Sequence, residues 1–141
     1  HAGVDKGPLD LPGSTTTCPS TVAQKAALAA WTPEAEEARA RIRETFRARR
    51  EHLLELLSDE LGLRAVAPEG AFYVMVDVRA YGDSMRAAES CLEHGVITVP
   101  GAAFGAEGEG YLRVSFCADL PVLAEGVRRM GEGLKAVNRE S

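Results

Sequence analysis

The chain has 141 residues, 45% of them apolar and 26% charged, with a formal net charge of −5. That is enough apolar material for one compact core. The acidic balance argues against nucleic acid as the main partner, because a phosphate binder needs a concentrated basic surface. No apolar run is long enough to span a bilayer, and no signal pattern opens the chain. The three cysteines, Cys18, Cys91 and Cys117, are far apart, odd in number and without a CxxC pair. They are expected to be reduced, mostly buried thiols of a cytoplasmic protein, with no metal site. The first residue is His1 rather than Met, so the sequence is expected to be a processed or excised piece.

In chain order, residues 1–19 are rich in Pro, Gly and Thr and read as irregular chain. Ser20-Thr21 can cap a short alanine-rich helix over Val22–Trp31. Thr32-Pro33 then restarts the chain as a capped helix. The apolar spacing of Ala35, Ala38, Ile42, Phe46, Leu53, Leu56, Leu57 and Leu61 extends that helix to about Leu61, with Gly62 as its stop. Arg39, Arg41, Arg43, Arg47, Arg49 and Arg50 crowd its middle. They read as a solvated face balanced by nearby glutamates, with a phosphate-binding patch as the lesser alternative.

Ala71–Val78 alternates cleanly and predicts a strand, with Phe72, Val74, Val76 and Val78 on one face. Asp83 or Ser84 caps a helix whose inner face would carry Met85, Ala88, Cys91 and Leu92, ending at His94-Gly95. Val96–Val99 and Tyr111–Phe116 read as two further strands, separated by a loop holding Pro100-Gly101 and Phe104-Gly105. Asp119 caps a last helix with an inner stripe of Val122 or Leu123, then Val127, Met130, Leu134 and Val137. This order predicts an α+β fold: a small, mostly antiparallel sheet covered by helices. The long helix exceeds what so small a sheet can cover, so it is expected to bridge to something outside this sequence.

Arg113 stands out chemically. It lies mid-strand between Leu112 and Val114, sharing a face with Tyr111 and Ser115. A guanidinium there needs a partner or water, and its planar fork suits a carboxylate. A structural salt bridge, an exposed edge and a ligand contact all remain open on this ground alone.

Three passages together carry a resemblance. Val99-Pro100-Gly101-Ala102-Ala103-Phe104-Gly105, followed by Gly108–Gly110 and Tyr111-Leu112-Arg113-Val114-Ser115, resembles the "V-P-G-x-x-F-G … G-x-x-R-x-S" passage of class I/II (fold type I) aminotransferases. Pro68-Glu69-Gly70-Ala71-Phe72-Tyr73 is similar to that family's "P-x-G-(A/T)-F-(Y/F)", and Ser14–Ala27 to its Thr-rich "S-T-T-x-(N/C)-P-S-x-x-Q-x-A" stretch. The resemblance implies a C-terminal portion of a pyridoxal-phosphate enzyme that moves an amino group between an amino acid and a 2-oxo acid. It implies that Arg113 grips the substrate α-carboxylate and that Phe72 lines the substrate cleft. It further implies residues 1–31 as the tail of a missing large domain, 32–62 as the interdomain helix and 63–141 as the small C-terminal domain, with a homodimeric parent. Ala102 departs from the family's frequent serine. No catalytic or cofactor-binding residue is expected in this chain: Lys6, Lys25 and Lys135 lack the family's lysine motif, so pyridoxal phosphate would bind the parent and not this piece. A related lyase or synthase of the same fold, and a free-standing α+β binding module, are the alternatives.

Overall fold

The computed structural model of the chain describes residues 19–139. The expectations for Cys18, Lys6 and the Ser14–Thr17 run lie outside the described residues. The chain falls into two compact units, His1–Ile42 and Arg43–Ser141.

In the first unit, helix α1 spans Thr21–Ala29, and the Ser20 hydroxyl accepts from the Ala23 amide at 3.2 Å. The Thr32 hydroxyl accepts from the Ala35 amide at 3.3 Å, starting helix α2, Pro33–Asp59. Both starts follow from the preference of hydroxyl residues for the N-cap. No residue of α1 is buried, and Trp31 is 83% exposed.

The second unit holds the sheet. Strand β1 is Tyr73–Asp77, β2 is Val99–Pro100 and β3 is Tyr111–Ser115. The order is β1-β3-β2, antiparallel throughout. Helix α3, Ser84–Glu93, and helix α4, Leu120–Val137, complete it. Val74, Val76 and Leu112 from the sheet pack with Leu53 and Leu57 of α2, Cys91 of α3, and Val127, Met130 and Leu134 of α4 in one buried cluster. Burial pushes the Cys91 thiol up to about 11. Cys117, by contrast, is exposed, so the expectation of mostly buried thiols fails for it.

The inner face of α3 differs from the expected one. Met85 and Leu92 are exposed, while Ser84, Ala87, Ala88 and Cys91 are buried. The reason is close helix approach. A Cβ on Gly133 of α4 would lie 2.9 Å from the Ser90 carbonyl oxygen and 3.0 Å from Cys91 Cα. Only small residues fit between backbones that near.

The strand expected over Val96–Val99 shrinks to β2. Helix α3 ends in a left-handed Gly95, with the Val96 amide bonded to the Cys91 carbonyl and the Gly95 amide to Leu92. This terminating motif consumes Val96, and Ile97 is left 85% exposed. The strand expected from Ala71 begins at Tyr73, because Ala71 adopts φ 60°, a conformation that interrupts extended chain. In α4 the inner stripe uses Leu123, not Val122.

The arginines of α2 divide. Arg47 pairs with Glu44 at 3.0 Å and Arg41 with Glu37 at 4.0 Å, as a solvated face should. Arg49 and Arg50 instead tie distant chain. Arg49 donates to the Cys117 carbonyl at 2.6 Å and pairs with Asp119. Arg50 donates to the Pro68 carbonyl at 3.0 Å. Asp119 therefore opens α4 without a side-chain cap bond of its own.

Candidate functional site

Antiparallel pairing sets the site. Met75 lies opposite Arg113, which lies opposite Val99 across the other ladder. Alternation places Tyr73 on the same face as Arg113, as its diagonal neighbour. The Arg113 Cζ sits 4.2 Å from the Tyr73 ring centroid and 4.5 Å from that of Phe104. The guanidinium is thus stacked between two rings. Such contacts are worth roughly 0.5–2 kcal/mol each, rising as water is excluded.

No acid among the described residues answers this charge. Among the described residues, Arg113 makes no side-chain hydrogen bond or ion pair, and its Nε is buried without a partner. Other arginines of the same unit have found one: Arg79, for example, forks onto Asp77, with Nε to Oδ1 at 2.9 Å and Nη2 to Oδ2 at 2.5 Å. A half-buried guanidinium held flat by two rings, with its fork unspent, is a receptor for a planar anion.

Phe72 joins the same cluster through Tyr73, at a ring separation of 4.3 Å. It also meets Phe46 of α2 at 6.3 Å, and Phe46 meets Phe116 at 6.1 Å. Phe72 is 40% exposed, and its ring reaches the core through Phe46 and Phe116. Tyr73 and Phe104 were not singled out from the sequence. Their signal was present, since Tyr73 shares the alternation of β1 and Phe104 lies in the same passage as Arg113.

Phe104 is carried by a tightly closed loop. Two short 3-10 turns, Gly101–Phe104 and Ala106–Gly108, fold it back on itself. A Cβ on Gly101 would collide with the Gly108 carbonyl oxygen, and one on Gly108 with that of Gly101. The Glu109 carboxylate accepts from the Ser84 amide at 2.7 Å, the Ser84 hydroxyl at 3.0 Å and the Gly110 amide at 2.9 Å. The two donors on Ser84, with the Gly110 amide after them, hold the Glu109 carboxyl below the usual range.

The Asp77–Arg79 pair gives a pH signature. Bonds from the Arg79 side chain lower the Asp77 carboxyl to about 2. A folded-state value below the unfolded value near 3.9 means the stabilisation is present above that pH and lost as pH falls toward 2. Arg79 is 61% exposed, so solvent screens the pair and its contribution is small. Asp77→Asn should flatten the acid limb of stability between about pH 4 and pH 2 and lower neutral stability by the amount that limb spans. Chemical denaturation at several pH values checks this. An acid limb identical to that of the parent would refute it.

The described lysines do not complete a site. Lys25 on α1 and Lys135 on α4 are both exposed. Lys135 lines a separate surface depression with His94, Glu132, Ala136 and Arg139.

The chain matches known proteins over most of its length. The family model described as "Aminotransferase class I and II" matches residues 12–129. The aspartate/prephenate aminotransferase of Thermus thermophilus is 42% identical over 135 residues, covering 93% of this chain and 34% of that protein. The probable N-acetyl-LL-diaminopimelate aminotransferase of Bacillus subtilis is 37% identical over 116 residues, covering 81% of this chain and 29% of its own. Among solved structures, the aromatic aminotransferase of Pyrococcus horikoshii superposes with a TM-score of 0.83 at 35% identity, over 94% of this chain and 35% of that one. The Thermus thermophilus aspartate aminotransferase solved with maleate gives 0.78 at 42% identity, over 88% and 32%. The chain spans about a third of the length of the curated relatives it matches. On the strength of the family match and these relatives, the chain belongs to the class I and II aminotransferases.

Proposed function

We propose that this chain is the small-domain part of a pyridoxal-phosphate-dependent aminotransferase, in which Arg113 binds the α-carboxylate shared by the amino-acid and 2-oxo-acid substrates. One observation carries the reading: the Arg113 guanidinium lies between Tyr73 and Phe104 with no counter-ion among the described residues. Holding an unpaired charge half out of water is costly, and a bound carboxylate would offset that cost through two parallel bonds. A relative of 42% identity was solved with maleate, itself a dicarboxylate, which agrees with this chemistry. Phe72 would form an apolar wall beside the carboxylate. Residues 1–31 would belong to a large domain, 32–62 to the connecting helix and 63–141 to the small domain, within a homodimeric cytoplasmic enzyme.

The described residues do not fit the cofactor by themselves. Lys135 lines a depression with His94, Glu132, Ala136 and Arg139 that does not include Arg113, and the group would be held by residues beyond this chain, where it supplies the electron sink for the chemistry. The contribution of this chain is binding and orientation.

The test is product analysis of the whole protein with pyridoxal phosphate, an amino acid and a 2-oxo acid. One new amino acid per 2-oxo acid formed supports the reading. Release of ammonia with no amino acid product would move the chemistry to elimination. The 141-residue chain alone should give no stoichiometric visible band with the cofactor. A band fixed by borohydride would contradict the assignment of the cofactor to other residues.

A further inference from the structure

We propose that Ser84 and Glu109 are positioning residues for the Arg113 clamp, acting through Phe104; the functional part of this inference rests on the carboxylate reading above. Ser84 is a buried polar side chain, fully enclosed at the start of α3. Its hydroxyl donates to Glu109 Oε2 at 3.0 Å and accepts from the Ala102 amide at 3.4 Å. One hydroxyl therefore joins the first turn of the loop to its last residue. Glu109 completes the closure by accepting from the amides of both Ser84 and Gly110. A carboxylate at a helix start also meets the positive end of the helix dipole.

What this closure holds is Phe104, two residues beyond Ala102. The Gly105 amide bonds back to the Ala102 carbonyl at 3.1 Å, so the turn that carries Phe104 is fixed at both ends. Phe104 is more than half exposed, and nothing in a core pins its ring. The loop backbone must do so. Phe104 forms one of the two faces between which the Arg113 fork lies. A loop that opens lets this ring leave, and the guanidinium is then free to rotate out of the plane in which it can meet a carboxylate.

The experiment measures steady-state constants of the whole protein for an amino-acid donor, and hydrogen exchange at the Ala102 and Gly105 amides. Glu109→Ala should raise KM about tenfold, with kcat changed by less than about twofold, because ground-state grip is lost and the reacting groups are untouched. Exchange at both amides should quicken about tenfold or more while that of α4 holds, as for a local opening. Ser84→Ala should behave alike. Glu109→Gln keeps an acceptor oxygen and should recover most of both effects. Unchanged KM and exchange in Glu109→Ala would overturn the proposal, as would a uniform rise in exchange across α3, α4 and the loop. If Arg113→Ala raises KM and Glu109→Ala does not, the latch falls and the carboxylate reading stands. If Glu109→Ala frees the loop amides while Arg113→Ala leaves KM alone, the latch is upheld and the carboxylate reading falls.

Discussion

Arg113→Ala in the whole protein should raise KM for every amino-acid substrate by about 100-fold or more, since two charge-assisted bonds worth roughly 1.5 kcal/mol each are lost. The dependence on substrate side chain should be shallow, because the carboxylate is common to all of them. Arg113→Lys should also weaken binding, by about tenfold or more, since an ammonium neither stacks between two rings nor offers a fork. Stability should respond much less. Among the described residues the side chain has no ion pair to lose, and two ring contacts at a partly exposed site, at about 0.5–1 kcal/mol each, set the cost at about 1–2 kcal/mol. Kinetics alongside thermal unfolding separate the two. A KM within twofold of the parent enzyme, or a collapse of the fold, would remove Arg113 from the role of receptor.

Gly133→Val and Gly126→Ala should shift stability in opposite directions although both lie in α4. Any side chain at Gly133 meets backbone of α3, with Ser90 O at 2.9 Å and Cys91 N at 3.1 Å. Backbone cannot swing aside. The Ser90 hydroxyl also bonds the Gly133 carbonyl at 2.8 Å, a contact that depends on the same closeness. Overpacking of this kind costs about 3 kcal/mol when neither helix can yield. At Gly126 an added Cβ meets nothing within 4 Å. There alanine should raise stability by about 0.5–1 kcal/mol, through helix propensity and a less disordered unfolded chain. Urea titration of the two variants reads both signs. Equal effects would mean that α3 and α4 are not in backbone contact.

The sequence carried the element types and the mid-strand arginine because both rest on short-range rules. Capping at Ser20 and Thr32, the left-handed stop at Gly95 and the alternation of β1 are properties of a few neighbouring residues. The face of α3 was not legible in the same way. Met85 and Leu92 look like core by hydrophobicity, and only the glycine of a distant helix decides that alanines go inside. Arg49 and Arg50 were hidden for a related reason. Their partners, Cys117, Asp119 and Pro68, are far along the chain, so periodicity could only read them as part of a charged face. Around Arg113 the residue type was legible, whereas the clamp was not. Tyr73 reaches it through strand register and Phe104 through a loop whose closure depends on Ser84 and Glu109.

The attachments on α2 have a mechanical consequence. Phe46, Arg49 and Arg50 fall within about one and a half turns, and they engage Phe72 and Phe116, the Cys117–Asp119 bend, and Pro68. Those contact points flank the ends of β1 and β3. That stretch of helix is therefore tied at several points to the two strands that bear Tyr73 and Arg113, so the placement of the stacked guanidinium depends on α2 as well as on its own sheet.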